Sequence, residues 1–263
     1  MTQSHVFDRV VCGVDGSAPA TDAAAIAGRV VAPDGTLEFV AVEEIGLAVH
    51  AGFRMAPVAE MPATEAKRAT REAIAIAGYF HHPVETKLLG GNPLDCMREE
   101  IDRFESTLAF VGTRGQSRAA GIALGSVTTH LLHEAPCSVL VAREAHDLLE
   151  WPRRILVGID GSTGSAAAFA AASTLAERHG AAVRPVVATR EPFVDLVAAH
   201  AVVPGLEEHD DAVLHTLHVL SEDADLLVVG SRGLRGIRAL GSVSERIAHE
   251  ASCSVLVVRG ADE

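Results

Sequence analysis

Residues 112–127 read GTRGQSRAAGIALGSV and residues 230–243 read GSRGLRGIRALGSV, two glycine-punctuated stretches of nearly the same pattern. Glycine at 112 and 115 lets the backbone approach a ligand closely or take a positive φ, which a Cβ resists. Gly125-Ser126-Val127-Thr128 then opens a helix, whose N–H groups, dipole and hydroxyls together form an anion site. Its charge complement falls to Arg114 and Arg118, because Lys67 and Lys87, the lysines of this half, lie outside the loop. A second feature also recurs: RVVCGVDGS at 9–17 and RRILVGIDGS at 153–162 each end a short β-branched run on an aspartate, Asp15 or Asp160. A carboxylate accepts hydrogen bonds from a sugar hydroxyl or a base.

Other chemistries fail on residues. There is no GxxxxGK[ST] phosphate loop, no GxGxxG after the first strand and no GxSxG elbow. The thirteen histidines include no HExxH, and His130 and His133, three apart on an expected helix, fit capping or solvent-facing roles better than a metal; no metal is assigned. Cys12, Cys96, Cys137 and Cys253 show no CxxC and read as small buried hydrophobes in a reducing compartment. A net charge of −13 opposes nucleic-acid binding, which needs a basic face. No apolar run approaches the ~20 residues that cross a bilayer, and the first residues lack a basic and then apolar leader pattern. The expectation is a cytoplasmic protein with no membrane or nucleic-acid partner.

The elements that must position these residues come in two copies. Besides the aspartate turns, APCSVLVAR at 135–143 matches ASCSVLVVR at 251–259. Asp15 pairs with Asp160 and Gly35 with Gly180 at an offset of 145 residues, but Gly112 pairs with Gly230 at 118, a net loss of 27 in the second copy. Two more are lost inside the glycine loop, where the offset falls to 116. Each copy alternates short β-branched strands with alanine-rich helices, the pattern of a parallel sheet covered on both faces, an α/β doubly wound (Rossmann-like) domain. The boundaries expected are 1–147 for a complete first domain and 148–263 for a truncated second. In the first, a helix over 63–79 and a strand over 84–89 fill the variable region. In the second, REPFVDLVAAHAVVPGLEE remains there, so a crossover helix is expected to be gone and its strand shortened or displaced. Ligands of such sheets bind beyond the carboxyl ends of the strands, where Asp15 would face the loop that starts at Gly112.

The spacing G-x2-G-x9-G-S, with VCGVDGS before it and CSVLVAR after it, resembles the universal stress protein family in its tandem two-domain form. The resemblance implies a five-stranded sheet of order 3-2-1-4-5 in each half. It also implies ATP as ligand, with Mg²⁺ carried on the phosphates. Adenine and ribose would lie at Val14, Asp15 and Val42, and the phosphates at Gly112, Arg114, Gly115, Gly125, Ser126, Val127 and Thr128. In the second half Gly230, Gly233, Gly241 and Ser242 keep the pattern, but the spacer is two residues short. Laying FVAV at 39–42 on VVAT at 186–189 puts Thr189 at the place of Val42. That second site is expected to be degenerate, with Arg232, Arg235 and Arg238 placed to hold at most a smaller anion.

The resemblance implies a stress-response regulator that works through nucleotide-dependent conformation or partner binding, with at most slow hydrolysis or self-phosphorylation. No base is positioned for water and no carboxylate cage for Mg²⁺. A nucleotide-free interaction module with architectural glycines is the alternative. An ATP-α-hydrolase enzyme is disfavoured, since DGSAPA lacks the glycines of its pyrophosphate loop. The closing strands at 137–142 and 253–258 are apolar edges, which tend to pair with another edge; the resemblance implies that they pair with each other as an intramolecular pseudo-dimer, and allows a further homodimer.

Overall fold

The computed structural model describes residues 7–43, 60–77, 83–113, 124–145, 147–231 and 243–260. By contact the described chain divides into a first unit ending at Leu131 and a second beginning at Leu132.

The first unit holds β1 (Arg9–Gly13), α1 (Ala18–Val30), β2 (Thr36–Glu43), α2 (Glu60–Ala77), β3 (Val84–Gly90), α3 (Pro93–Arg103), β4 (Leu108–Gly112) and the start of α4 (Ser126–Glu134). Its strands are all parallel, in the order β3-β2-β1-β4. The apolar runs RVVCG and LAFVG make β1 and β4, and Val10, Val11, Cys12, Leu108, Ala109 and Phe110 have no solvent exposure. Runs this apolar suit a parallel strand covered on both faces. Helices α1 and α3 each start after a residue whose side chain satisfies free N–H groups. The Ser17 hydroxyl accepts from Ala20 N ahead of α1, and Asn92 Oδ1 accepts from Leu94 N and Asp95 N ahead of α3. A buried acid interrupts the apolar pattern: Glu38 of β2 is fully buried, 2.5 Å from Arg103 Nη2, and Arg103 also holds Glu100 at 2.6 Å.

The second unit holds β5 (Ser138–Ala142), β6 (Arg154–Gly158), α5 (Thr163–His179), β7 (Ala182–Ala188), α6 (Leu196–Val202), β8 (Glu207–His209), α7 (Val213–Ser221), β9 (Leu226–Gly230), α8 (Val243–Glu250) and β10 (Ser254–Val258). Strands β6 to β10 are parallel in the order β10-β9-β6-β7-β8. Counted from β6 as first, this is 3-2-1-4-5 read from the far edge. The truncation takes a different form from the one expected. The crossover helix is cut to the seven residues of α6 rather than lost, and β8 keeps three residues in parallel register with β7. Asp195 caps this short helix through Ala198 N.

On the other side of β10 lies β5, antiparallel, with Val141 opposite Val255, Leu140 opposite Leu256 and Val139 opposite Val257. The two closing strands thus meet as the family resemblance implied. The hydrogen bonds across this seam are reciprocal. Ser254 Oγ accepts from Arg143 N, and Ser138 Oγ accepts from Arg259 N. Arg143 donates to the carbonyls of Ala248, His249 and Cys253, and Arg259 to that of Leu132. Each arginine therefore sits at the C-terminal end of the other copy's last helix, where a cation is favoured.

Candidate functional site

The site of the first half is assembled by strand register. Cys12 pairs with Phe110, so Val14 and Gly112, two residues further on, reach the same level at the carboxyl edge. Gly13 pairs with Val40 and Val14 N donates to Val40 O, which sets Val42 beside Asp15. Asp15 Oδ1 accepts from Ser17 N at 2.9 Å, a turn that aims the carboxylate along the start of α1. Across the crevice the two ends of the glycine loop are tied together. Thr128 Oγ1 donates to Gly112 O at 2.9 Å and Gly125 N donates to Thr113 O at 2.8 Å.

Val14, Asp15, Val42, Gly112, Gly125, Ser126, Val127 and Thr128 are thereby brought to one crevice of the first unit. They do not all present the same face. Ser126 is exposed at the first position of α4 and Val127 half-buried, whereas Thr128 is buried with its hydroxyl committed as donor to the Gly112 carbonyl. Arg114, Gly115, Arg118, Gly233, Gly241, Ser242 and the arginines at 232, 235 and 238 lie outside the described residues. The donor set fits a nucleotide in outline: a carboxylate acceptor at one end and the N-terminus of a nine-residue helix at the other.

Gly112 has a packing reason of its own. A Cβ there would come within 2.9 Å of the backbone and side chain of Pro19 in the first turn of α1. At Gly230 it would come within 2.5 Å of the Gly164 carbonyl carbon. Both strand-end glycines admit a helix N-terminus against the strand, whatever occupies the crevice.

The second half repeats the aspartate turn and then covers it. Ser162 N and Ser162 Oγ donate to Asp160 Oδ1 at 2.9 and 2.5 Å. Asp195 N donates to Asp160 O, and Gly161, at φ +83°, lies so close to Asp195 O that a Cβ would sit 2.3 Å from it. The shortened connection thus folds down onto the turn. Phe193 and Val194 join Ile159, Val186, Ala188 and Leu217 around a slot of about 50 Å³. Register also corrects the expected equivalence. Ile159 N donates to Val186 O as Val14 N does to Val40 O, so Ala188, and not Thr189, stands where Val42 stands. The half-two chain gains one residue at the turn after α5, where Gly180 ends the helix in the left-handed conformation, before it loses the rest.

The histidines are placed on neighbours: His130 Nδ1 is 2.7 Å from Ser126 O, and His133 Nε2 is 3.0 Å from Glu245 Oε1 of α8. Among the described residues no group of three or more His, Cys, Asp or Glu side chains could hold a metal. All four cysteines are buried and outside any disulfide, and burial pushes the Cys253 thiol up to about 12. No described helix is long and apolar enough to cross a membrane. Sequence reasoning missed the Ser–Arg reciprocity of the seam, although S-V-L-V-x-R stands at the same spacing in both copies. It also missed the cover supplied by 193–195, for which no spacing signal exists.

Fold and crevice together define a tandem doubly wound α/β protein with its candidate site at the carboxyl edge of the first copy. The model of the universal stress protein family matches residues 7–143 and 199–259, and the chain belongs to that family. It is 32% identical over 184 residues to the universal stress protein Rv2623 of Mycobacterium tuberculosis, a match spanning 59% of this chain and 62% of that protein. A universal stress protein of Mycolicibacterium smegmatis is 29% identical across 98% of this chain and 99% of its own. Among solved structures, a universal stress protein of Archaeoglobus fulgidus superposes with a TM-score of 0.74 over 98% of both chains at 16% identity, a likeness of fold.

Proposed function

We propose that the first half, residues 1–147, binds ATP, and that the chain is a cytoplasmic stress-response regulator that reads nucleotide occupancy through conformation or partner binding. The observation that carries this reading is the crevice itself. Asp15 and Val42 stand at one end, the N-terminus of α4 at the other, and the loop ends are pinned between them by Thr128 and Gly125. Asp15, Val14 and Val42 would take the ribose and base, and Gly112, Arg114, Gly115, Gly125, Ser126, Val127 and Thr128 the phosphates, which would mainly carry any Mg²⁺.

The second half, 148–263, would take no nucleotide, a reading supported by Phe193 and Val194 standing against the slot beside Ala188. Calorimetry with ATP should then give one site per chain. Asp15→Ala should abolish it in a folded protein, and Asp160→Ala should leave it unchanged. Two sites, one of them lost in Asp160→Ala, would defeat the reading.

A second reading, an interaction module without nucleotide, is favoured by one observation: Gly112 and Gly230 are both required by helix packing alone. Freshly purified, undialysed protein decides between the two. Adenine released by acid in near-stoichiometric amount supports the first reading, and its absence supports the second.

A further inference from the structure

The second half is covered but not filled. Next to its slot of about 50 Å³, and sharing Asp160, Ser162 and Phe193 with it, is a wider mouth of about 340 Å³ lined also by Thr163 and Asp195. One polar group on the slot wall is unaccounted for. Thr216 of α7 is only 5% exposed, and among the described residues its Oγ1 has no hydrogen-bond partner. A buried hydroxyl in that condition costs free energy unless something binds it. The α3 residue in the corresponding place is Cys96: Met97 faces Gly13 as Leu217 faces Gly158, so Cys96 stands where Thr216 does. The polar group is therefore particular to the second half.

We infer that this crevice is a second ligand site of different chemistry, which takes a small molecule with an uncharged hydrogen-bonding head in the slot and an ammonium group in the mouth. The head must be small, because a water needs roughly 10–15 Å³ on this scale and the slot holds about four such volumes. It must be uncharged, because the described slot walls are apolar apart from hydroxyls and Asp160 at the entrance, and an ion buried there without a partner is heavily penalised. It needs one polar group, which the Thr216 hydroxyl can meet as donor or as acceptor. In the mouth, Asp160 and Asp195 bring two carboxylates and Ser162 and Thr163 two hydroxyls, a set that favours a cation over an anion. An N-acylated short diamine has this form: an acetamide of four non-hydrogen atoms, an alkyl spacer and an ammonium.

The test is an NMR titration of the full chain with N-acetylputrescine, with putrescine and N-acetyl-4-aminobutyrate as probes that lack the head or reverse the tail charge. Saturable binding of N-acetylputrescine at about 1 mM or tighter is expected. Both analogues should bind at least about tenfold more weakly, and Thr216→Val should weaken the acetylated amine by a similar factor. ATP should not compete. Thermal melts of the ligand-free protein supply an independent arm: since the hydroxyl lacks a partner, Thr216→Val should raise the melting temperature or leave it unchanged. Equal binding by Thr216→Val, equal binding of the carboxylate analogue, competition by ATP, no saturation by ~10 mM, or a lowered melting temperature in Thr216→Val would each overturn the inference.

Discussion

Replacing Arg143 by methionine tests the reciprocal arginines of the β5–β10 seam. The guanidinium donates to Ala248 O at 2.8 Å, His249 O at 3.1 Å and Cys253 O at 3.3 Å. The first two belong to the last turn of α8, whose carbonyls have no partner within the helix. Hydrogen bonds from a charged donor are worth about 1.5–3 kcal/mol each, but burial works against this cation and lowers its pKa. With the shortest bond taken at full value and the two longer ones set against the desolvation of the guanidinium, a net loss of about 1.5–3 kcal/mol follows. Methionine keeps the alkyl packing, so the loss reports the polar contacts. Arg259→Met removes the donor to Leu132 O at 3.0 Å and should destabilise as well, by about 1.5–3 kcal/mol. Urea unfolding followed by the fluorescence of Trp151, the single tryptophan and a buried one, measures both. A loss below about 0.5 kcal/mol for Arg143→Met would refute the assignment of seam stability to the Arg143 cap.

Three further outcomes follow from other parts of the fold. Burial raises the pKa of Glu38, against the pull of Arg103, while Arg103 and Glu38 lower that of Glu100 despite its burial. A raised carboxyl gives stability that is full below its unfolded value near 4.5 and is lost as pH rises through the folded value. The melting temperature of Glu38→Gln relative to the parent should therefore climb from pH 5 to pH 8; a flat or falling difference would show that Glu38 is not the group responsible. Gly161→Ala puts a Cβ against Asp195 O at a positive φ and should cost about 2 kcal/mol or more, seen as a lower urea midpoint. Thr128→Val removes the donor to Gly112 O and should cost about 1 kcal/mol while weakening ATP binding in calorimetry, because the loop ends are no longer tied.

What could be read from the sequence was what repeats or alternates. The helix expected over 63–79 lies at Glu60–Ala77 and the strand expected over 84–89 at Val84–Gly90, since amphipathic and β-branched runs announce themselves locally. The place of Val42 in the second half was misjudged for an instructive reason. FVAV and VVAT look alike when slid by one residue, yet such a slip would turn every side chain of β7 to the opposite face. Backbone pairing of Ile159 with Val186 decides it, and no side chain reports that pairing. Glu38 was hidden for a similar reason: nothing in LEFVAV says that its acid is to be buried until Arg103, 65 residues away, is packed beside it. The seven residues of α6 were hidden because a crossover was judged by its usual length, whereas three residues of β8 need only a short return.

The glycines that first marked the two loops are the least informative residues about what binds there. Gly112 and Gly230 end their strands in equivalent places, and in both a Cβ would strike the first turn of the helix that follows the neighbouring strand, Pro19 of α1 in one copy and Gly164 of α5 in the other. Packing would retain them in a half that binds nothing. Evidence for a ligand must come from residues that packing does not force, and there the halves diverge. Asp15 and Asp160 make the same turn, but Asp160 lies under Asp195 through its carbonyl. Gly112→Ala and Gly230→Ala should consequently lower stability to a comparable degree, each by about 2 kcal/mol or more, with a backbone carbonyl or ring in the way of the new methyl. Only Asp15→Ala, against Asp160→Ala, should separate the halves in ATP binding. If Gly230→Ala were neutral for stability while Gly112→Ala was not, the packing account of these glycines would fail, and the first loop's glycine would have to be explained by its ligand.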